Sequence, residues 1–160
     1  MNTAAFIESL EGKRRKVYNC EAGCPTIGKG HKLTCDELEM GVVRIGDRWV
    51  QWRDGLDDEQ IDTLLAQDMA ESLDAIKRLV KVPLTDYQRI ALESFVFNAG
   101  AGAFAESTLL KLLNDGRYDD VPAQMMRWVH VTKGGEKVKS RGLINRRTAE
   151  VAMWRGESLA

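Results

Sequence analysis

Apolar residues at Phe6, Ile7 and Leu10 recur at helical spacing, and Asn2 or Thr3 is placed to cap them, which predicts a short helix over residues 2–10. From Lys13 to Thr34 the periodicity changes. Val17, Tyr18, Thr26 and Ile27 have strand character, and Gly12, Gly23, Pro25, Gly28 and Gly30 punctuate turns, so a small antiparallel hairpin or three-strand meander is expected. Thr34 stands three residues before Glu37, a capping-box spacing that opens another short helix. Residues 41–55, with Val42, Val43, Ile45, Trp49 and Trp52, read as an irregular or β-containing insertion.

Beyond residue 56 every segment reads as helix. Asp57 or Asp58 caps one running to about Lys81, with Ile61, Leu64, Leu65, Met69, Leu73, Ile76 and Val80 on one face. Pro83 ends it, and Thr85 caps a second over residues 86–98 whose Ile90, Leu92, Phe95, Val96 and Phe97 are too continuous for a surface stripe, so it is expected to be buried all round. Gly100 and Gly102 break it. Ser107 opens a third helix, residues 121–129 form a fourth, Gly134-Gly135 is a turn, and residues 143–154 form the last, stopped by Gly156. The expected class is α+β, mainly α: one domain over 1–160, with a small β-containing lobe at about 13–56, a larger helical lobe from 1–12 and 57–160, and a cleft between them.

At 44% hydrophobic and 29% charged residues, composition is that of an ordinary globular chain. The net charge of −1 excludes a globally basic nucleic-acid wrapper. Charge is uneven, however: residues 57–74 are almost purely acidic, while residues 127–147 carry seven basic residues against Glu136 alone. The basic third suits an anionic polymer as well as it suits solvated helix faces. Three cysteines argue against a purely structural disulfide framework, and with only His31 and His130 there is no zinc-site spacing. No metal or organic cofactor is expected. The N-terminal residues lack the basic and long apolar regions of a secretion signal, and no run reaches transmembrane length.

Glu11 falls at the end of the first helix, where the macrodipole disfavours a negative charge, as a general acid working near neutral pH requires. His31, on a turn after TIGKG, reads more simply as a hydrogen-bonded structural residue. GKG itself looks like part of a phosphate-cradling loop but lacks the Walker spacing and is not followed by a helix, so nucleotide binding is not expected. Cys20 and Cys24 flank the turn Glu21-Ala22-Gly23, a separation across which two Cα atoms can reach the ~4.4–6.8 Å of a disulfide. A small apolar Cys24 packed under the turn is the competing reading.

Taken together, the run EGKRRKVYNCEAGCPTIGKGH resembles the active-site hairpin of the phage-type lysozymes, glycoside hydrolase family 24. LTDYQRIALESFVFNAGAGAFAESTLLKLLNDGRY resembles that family's central helix and the helix pair after it, and RGLINRRTAEVAMWRGE its C-terminal helix. The three blocks occur in family order. The resemblance implies a lysozyme-like fold and a muramidase that cleaves the β-1,4 bond between N-acetylmuramic acid and N-acetylglucosamine, in the manner of an endolysin acting at phage release. The family's catalytic glutamate falls on Glu11, and the threonine that helps hold the attacking water falls on Thr26. Its aspartate position is occupied by Cys20, a departure from the pattern. Glycoside hydrolysis normally uses two carboxyl groups, and a thiol with an ordinary pKa near ~8.5 is a weaker substitute unless its environment favours the thiolate.

The resemblance also implies supporting roles for Arg146, which matches the arginine that pairs with the glutamate, and for His31. Phe97, Asn98 and Ser107 match substrate-groove positions, although packing and capping explain these three as well. Trp128 and Trp154 are expected in the core, whereas Trp49 and Trp52 are freer to stack on sugars or to form an interaction surface. The implied partner is the glycan strand of peptidoglycan. The expected setting is a monomer that accumulates in the host cytoplasm, depends on a holin for release, binds no nucleic acid, and acts on the cell wall in the periplasm. A module that keeps the fold and binds peptidoglycan with weakened catalysis is the alternative.

Overall fold

Caps and glycine turns set the ends of most elements in the computed structural model, which describes residues 1–157. The chain divides into two compact units, one of Ala4–Ala70 and one of Met1–Thr3 together with the residues from Glu71 onward.

In the first unit, α1 (Thr3–Glu11) ends on Glu11 itself, because Gly12 (φ 71°) turns left-handed and its N–H closes back on the Glu8 carbonyl at 2.9 Å. β1 (Arg14–Asn19), β2 (Pro25–Gly28) and β3 (His31–Lys32) follow as an antiparallel meander in that order, with Tyr18 opposite Thr26 and Ile27 opposite His31. α2 (Cys35–Met40) carries the expected capping box: Thr34 Oγ1 accepts from Glu37 N, and the Glu37 carboxylate accepts from Thr34 N. The insertion that follows is a regular hairpin of β4 (Val42–Ile45) and β5 (Arg48–Gln51). Ile27, Leu33, Val43, Ile45, Trp52, Leu56, Ile61 and Leu64 make one apolar core beneath these strands.

Trp52 is thereby corrected. Only 7% exposed, it donates its indole N–H to the Glu37 carbonyl at 2.8 Å with Arg53 over its ring, so it is core and not a free sugar platform. Trp49, paired with Arg44 across the hairpin, is 64% exposed.

The unit boundary lies within α3 (Asp58–Leu79), capped by a reciprocal pair of bonds between Asp57 and Gln60. In the second unit α4 (Asp86–Ala99) starts from a Thr85–Gln88 capping box and is buried continuously from Ile90 to Val96, as its unbroken apolar run predicts. α5 (Ala101–Ala105), α6 (Thr108–Asn114), a 3₁₀ turn at Tyr118–Asp120, α7 (Val121–Met125) and α8 (Arg141–Trp154) complete the helices. α4 packs on α8.

Three expectations fail here. Gly102 lies inside α5 and does not break a helix. α7 stops at Met125, short of Val129. The segment around Gly134-Gly135 is a hairpin, β6 (His130–Lys133) and β7 (Glu136–Lys139), where only a turn between helices is predicted. Both turn glycines have positive φ (57° and 83°), as a two-residue hairpin turn requires. Its strands carry no strand pattern in sequence because they are nearly all polar, with Val131 opposite Val138 as their one aliphatic pair. Trp154 is core, while Trp128 is half-buried with its ring edge-on to Phe95 at 5.5 Å. No helix among the described residues is long and apolar enough to cross a membrane.

Candidate active site

The helix end, the hairpin turn and the β2–β3 turn all lie in the first unit, and the β2–β3 turn meets the helix end at Glu11. Its carboxyl group lies against the backbone of Gly30. A Cβ built on Gly30 would sit 2.8 Å from Glu11 Cδ and 3.0 Å from Oε2, and Gly30 also has φ +83°. The positive φ favours glycine, and any side chain at this position would displace the Glu11 carboxyl. Tyr18, on β1, is close enough to feel the same carboxylate. Burial pushes its hydroxyl pKa up, and the negative charges of Glu11 and Cys20 add to that, with Arg14 opposing. The Arg14 guanidinium stacks over the Tyr18 ring at 5.1 Å.

Cys20 opens the β1–β2 turn. The turn is closed by Gly23 N–H to Cys20 O (2.8 Å) and Cys20 N–H to Cys24 O (2.9 Å), with Gly23 at φ 85°. The amide of Cys24 points back at the Cys20 sulfur, N to Sγ 3.3 Å. Burial works against a thiolate at Cys20. The backbone N–H groups of Cys24 and Ala22, the Cys24 thiol and the charge of Lys32 outweigh it and hold its pKa below the ordinary value. Cys24 shifts the opposite way, raised by its hydrogen bond to Cys20 and by burial. Both are free thiols, and their shifts run in opposite directions, toward the thiolate at Cys20 and toward the thiol at Cys24.

Two residues further on, Thr26 is buried on β2, and its hydroxyl donates to the Cys24 carbonyl at 2.9 Å. With its proton committed there, Thr26 Oγ1 offers lone pairs to any other group that approaches. A helix-end carboxyl, an activated sulfur and an acceptor hydroxyl thus occur on one small scaffold.

His31 belongs to this unit but is engaged elsewhere. Nδ1 meets Asp68 at 2.8 Å and Nε2 meets Glu37 at 3.0 Å, joining β3 to α3 and α2. Burial lowers its pKa, but the two carboxylates, Asp68 first, more than reverse this and raise it. The remaining predicted site residues lie in the second unit. Arg146 is buried on α8, donating to Glu150 Oε2 and to the Ser94 carbonyl, both at 3.3 Å. Asn98, in the last turn of α4, accepts from Arg147, and Phe97 beside it is half-buried. Ser107 caps α6 through a 3.1 Å bond from Leu110 N and donates to the Phe104 carbonyl.

Gly30 and Tyr18 are neighbours of Glu11 that the sequence does not single out. A glycine immediately after a lysine in a tight turn is a weak signal, and the aromatic's role depends on which residue lies beside it.

The phage lysozyme family model matches residues 8–150. The chain is similar to the endolysin of Acyrthosiphon pisum secondary endosymbiont phage 1, 38% identical over 93% of this chain and 92% of that protein. It is also similar to the SAR-endolysin of Escherichia phage Mu, 52% identical over 57% of this chain and 51% of that protein. Among solved structures it resembles the endolysin from Escherichia coli O157:H7 phage FAHEc1, with a TM-score of 0.78 at 32% identity over 95% of this chain and 89% of that one. The match takes in Glu11, the hairpin, α4 and most of α8, so the chain belongs to the phage lysozyme family, with the family's lysozyme-like α+β fold and glycoside hydrolase activity.

Proposed function

We propose that this protein is a peptidoglycan muramidase in which Glu11 is the general acid, Thr26 orients the attacking water and Cys20 stands in for the family's aspartate. The observation that carries this reading is the placement of the Glu11 carboxyl against Gly30, in the same unit as the Cys20–Thr26 turn. Glu11 protonates the glycosidic oxygen as the C1–O bond breaks, and positive charge builds on the sugar ring. A water molecule donating one hydrogen to Thr26 Oγ1 and another to the Cys20 sulfur has its oxygen lone pair free for the anomeric carbon. The sulfur takes the water proton as the new bond forms; after product release the Cys20 thiol gives that proton to solvent and Glu11 takes one up, which restores both starting states. The lowered pKa of Cys20, in the turn that leads to Thr26, supports its acting as this acceptor.

Glu11→Gln preserves size but cannot give up a proton, so clearing of permeabilised Gram-negative cells should fall about 100- to 10,000-fold. Retention of more than about a tenth of the activity would remove Glu11 from the acid role. Cys20→Asp should keep or raise activity while Cys20→Ala lowers it, and Ala equal to wild type would make the thiol a bystander. Hydrolytic reducing ends on the released muropeptides support water as the nucleophile; anhydro-sugar ends count against it. A protein that pulls down murein without clearing cells would be a binding module instead. Action is on the periplasmic wall, with access from the cytoplasm through a holin-type lesion. Lysis on expression without a holin would remove that last element.

A further inference from the structure

Lys29 sits at the tip of the turn between β2 and β3 with a side chain only 8% exposed. A buried ammonium needs anionic partners. It has two: Glu8 Oε2 on α1 at 3.0 Å and Asp62 Oδ1 on α3 at 2.7 Å. Glu8 lies three residues before Glu11, so the two carboxyls are neighbours on one face of α1. The residue after Lys29 is Gly30, whose backbone lies against the Glu11 carboxyl. Two consecutive turn residues therefore engage two carboxyls on successive turns of one helix. Lys29 grips Glu8, and Gly30 abuts Glu11.

We propose that Lys29 is a positioning residue for the catalytic acid: through Glu8 it holds the β2–β3 turn on α1, and so fixes the Gly30 backbone against which the Glu11 carboxyl rests. The proposal builds on the reading of Glu11 as the general acid. Gly28 and Gly30, at φ 70° and 83°, allow the turn to present its lysine and its bare backbone to the same helix. The Asp62 arm has a different role. It ties Lys29 to α3, near the place where Gly28 already packs on Ile61 and Leu64, with a Cβ there 3.6 Å from the nearest Ile61 carbon. Of the two arms, the Glu8 one reaches the helix that carries the acid.

The two arms make the idea testable. Both carboxylates are partly exposed, Glu8 at 47% and Asp62 at 66%, so water can solvate either one when the lysine is removed. Lys29→Met retains the aliphatic stem, and Glu8→Ala is an exposed helix substitution, so the second variant serves if the first fails to fold. Steady-state kinetics on soluble, uncrosslinked glycan strands would be measured below the melting temperature of each variant. Displacing an acid by even ~1 Å can cost ~100-fold, so Lys29→Met and Glu8→Ala should lower kcat at least ~10-fold with KM within about two-fold. Asp62→Ala should lower the melting temperature yet keep kcat within about two-fold of wild type.

Equal kcat losses from Glu8→Ala and Asp62→Ala, or losses confined to KM, would make Lys29 simple structural glue and overturn the proposal. Wild-type kcat in folded Lys29→Met overturns it as well. If Glu11→Gln is dead while Lys29→Met is fully active, the positioning role falls and the acid assignment stands. An active Glu11→Gln removes both.

Discussion

In the unit Ala4–Ala70 the buried charges are cations ringed by half-exposed carboxylates, whereas in the unit from Glu71 onward a fully buried carboxylate is ringed by buried arginines. Lys29 and His31 are 8% and 13% exposed, and their partners Glu8, Asp62, Asp68 and Glu37 range from 17% to 66%. Glu150, by contrast, is 0% exposed between Arg146, Arg147 and the Ser94 hydroxyl, which donates to it at 2.6 Å. Arg147 also stacks over Phe95 at 4.7 Å and donates to the Trp128 carbonyl at 2.9 Å. The difference is one of dielectric. Half-solvated carboxylates can exchange a protein partner for water, so each bond in the first unit is modest and adjustable. The network around Glu150 has no such exchange, and loss of one member leaves a charge stranded. The first arrangement ties the β2–β3 turn and β3 to α1 and α3; the second welds α4 to α8.

That contrast can be broken most directly at Glu150. Glu150→Ala strands two buried guanidinium groups and should cost about 3–5 kcal/mol in urea unfolding, enough to threaten folding altogether. A cost no greater than that of losing a carboxylate from the first unit would mean that the buried network is not special.

A smaller effect is expected at the histidine clamp. Asp68→Asn removes a charge-assisted hydrogen bond and should cost about 2 kcal/mol at slightly acidic pH. The sign follows from the raised pKa of His31. Because the folded value lies above the unfolded one near ~6.5, the clamp contributes fully below that pH, and its contribution is lost as pH rises through the folded value. Melting temperatures of wild type and Asp68→Asn should therefore converge on going from slightly acidic to alkaline pH. A constant gap would deny that protonated His31 is the source.

Salt should have the smallest effect and the most local one. Asp58 receives both Lys13 (3.2 Å) and Arg15 (2.9 Å) on the exposed side of the first unit. At ~1 M NaCl the screening length is ~3 Å, so the stability difference between wild type and Lys13→Met should vanish, while that between wild type and Arg147→Met should persist. Equal salt sensitivity at the two positions would erase the distinction between the units.

The sequence by itself determined the parts governed by local hydrogen bonding. Thr34 with Glu37, Asp57 with Gln60, Thr85 with Gln88 and Ser107 before Leu110 all cap helices at a separation of three residues, and the left-handed Gly12 ends α1 on Glu11. Such signals need only neighbours along the chain, and the motif blocks that mark the family are built from them. Tertiary structure decided everything that depends on a distant partner. Trp49 and Trp52 look alike in sequence, yet one is exposed and the other is sealed by the Glu37 carbonyl. GKG gave no hint that its lysine would meet residues 21 and 33 positions away, and His31 gave none of a carboxylate 37 positions on. The Cys20 sulfur is an intermediate case, since its hydrogen bond comes from an amide four residues later but only the closed turn aims it. Local codes fix where helices and turns begin and end, because those bonds close within one turn of chain. Pairings between distant charges follow from how the elements pack, and here that packing brings the Gly30 backbone up to Glu11.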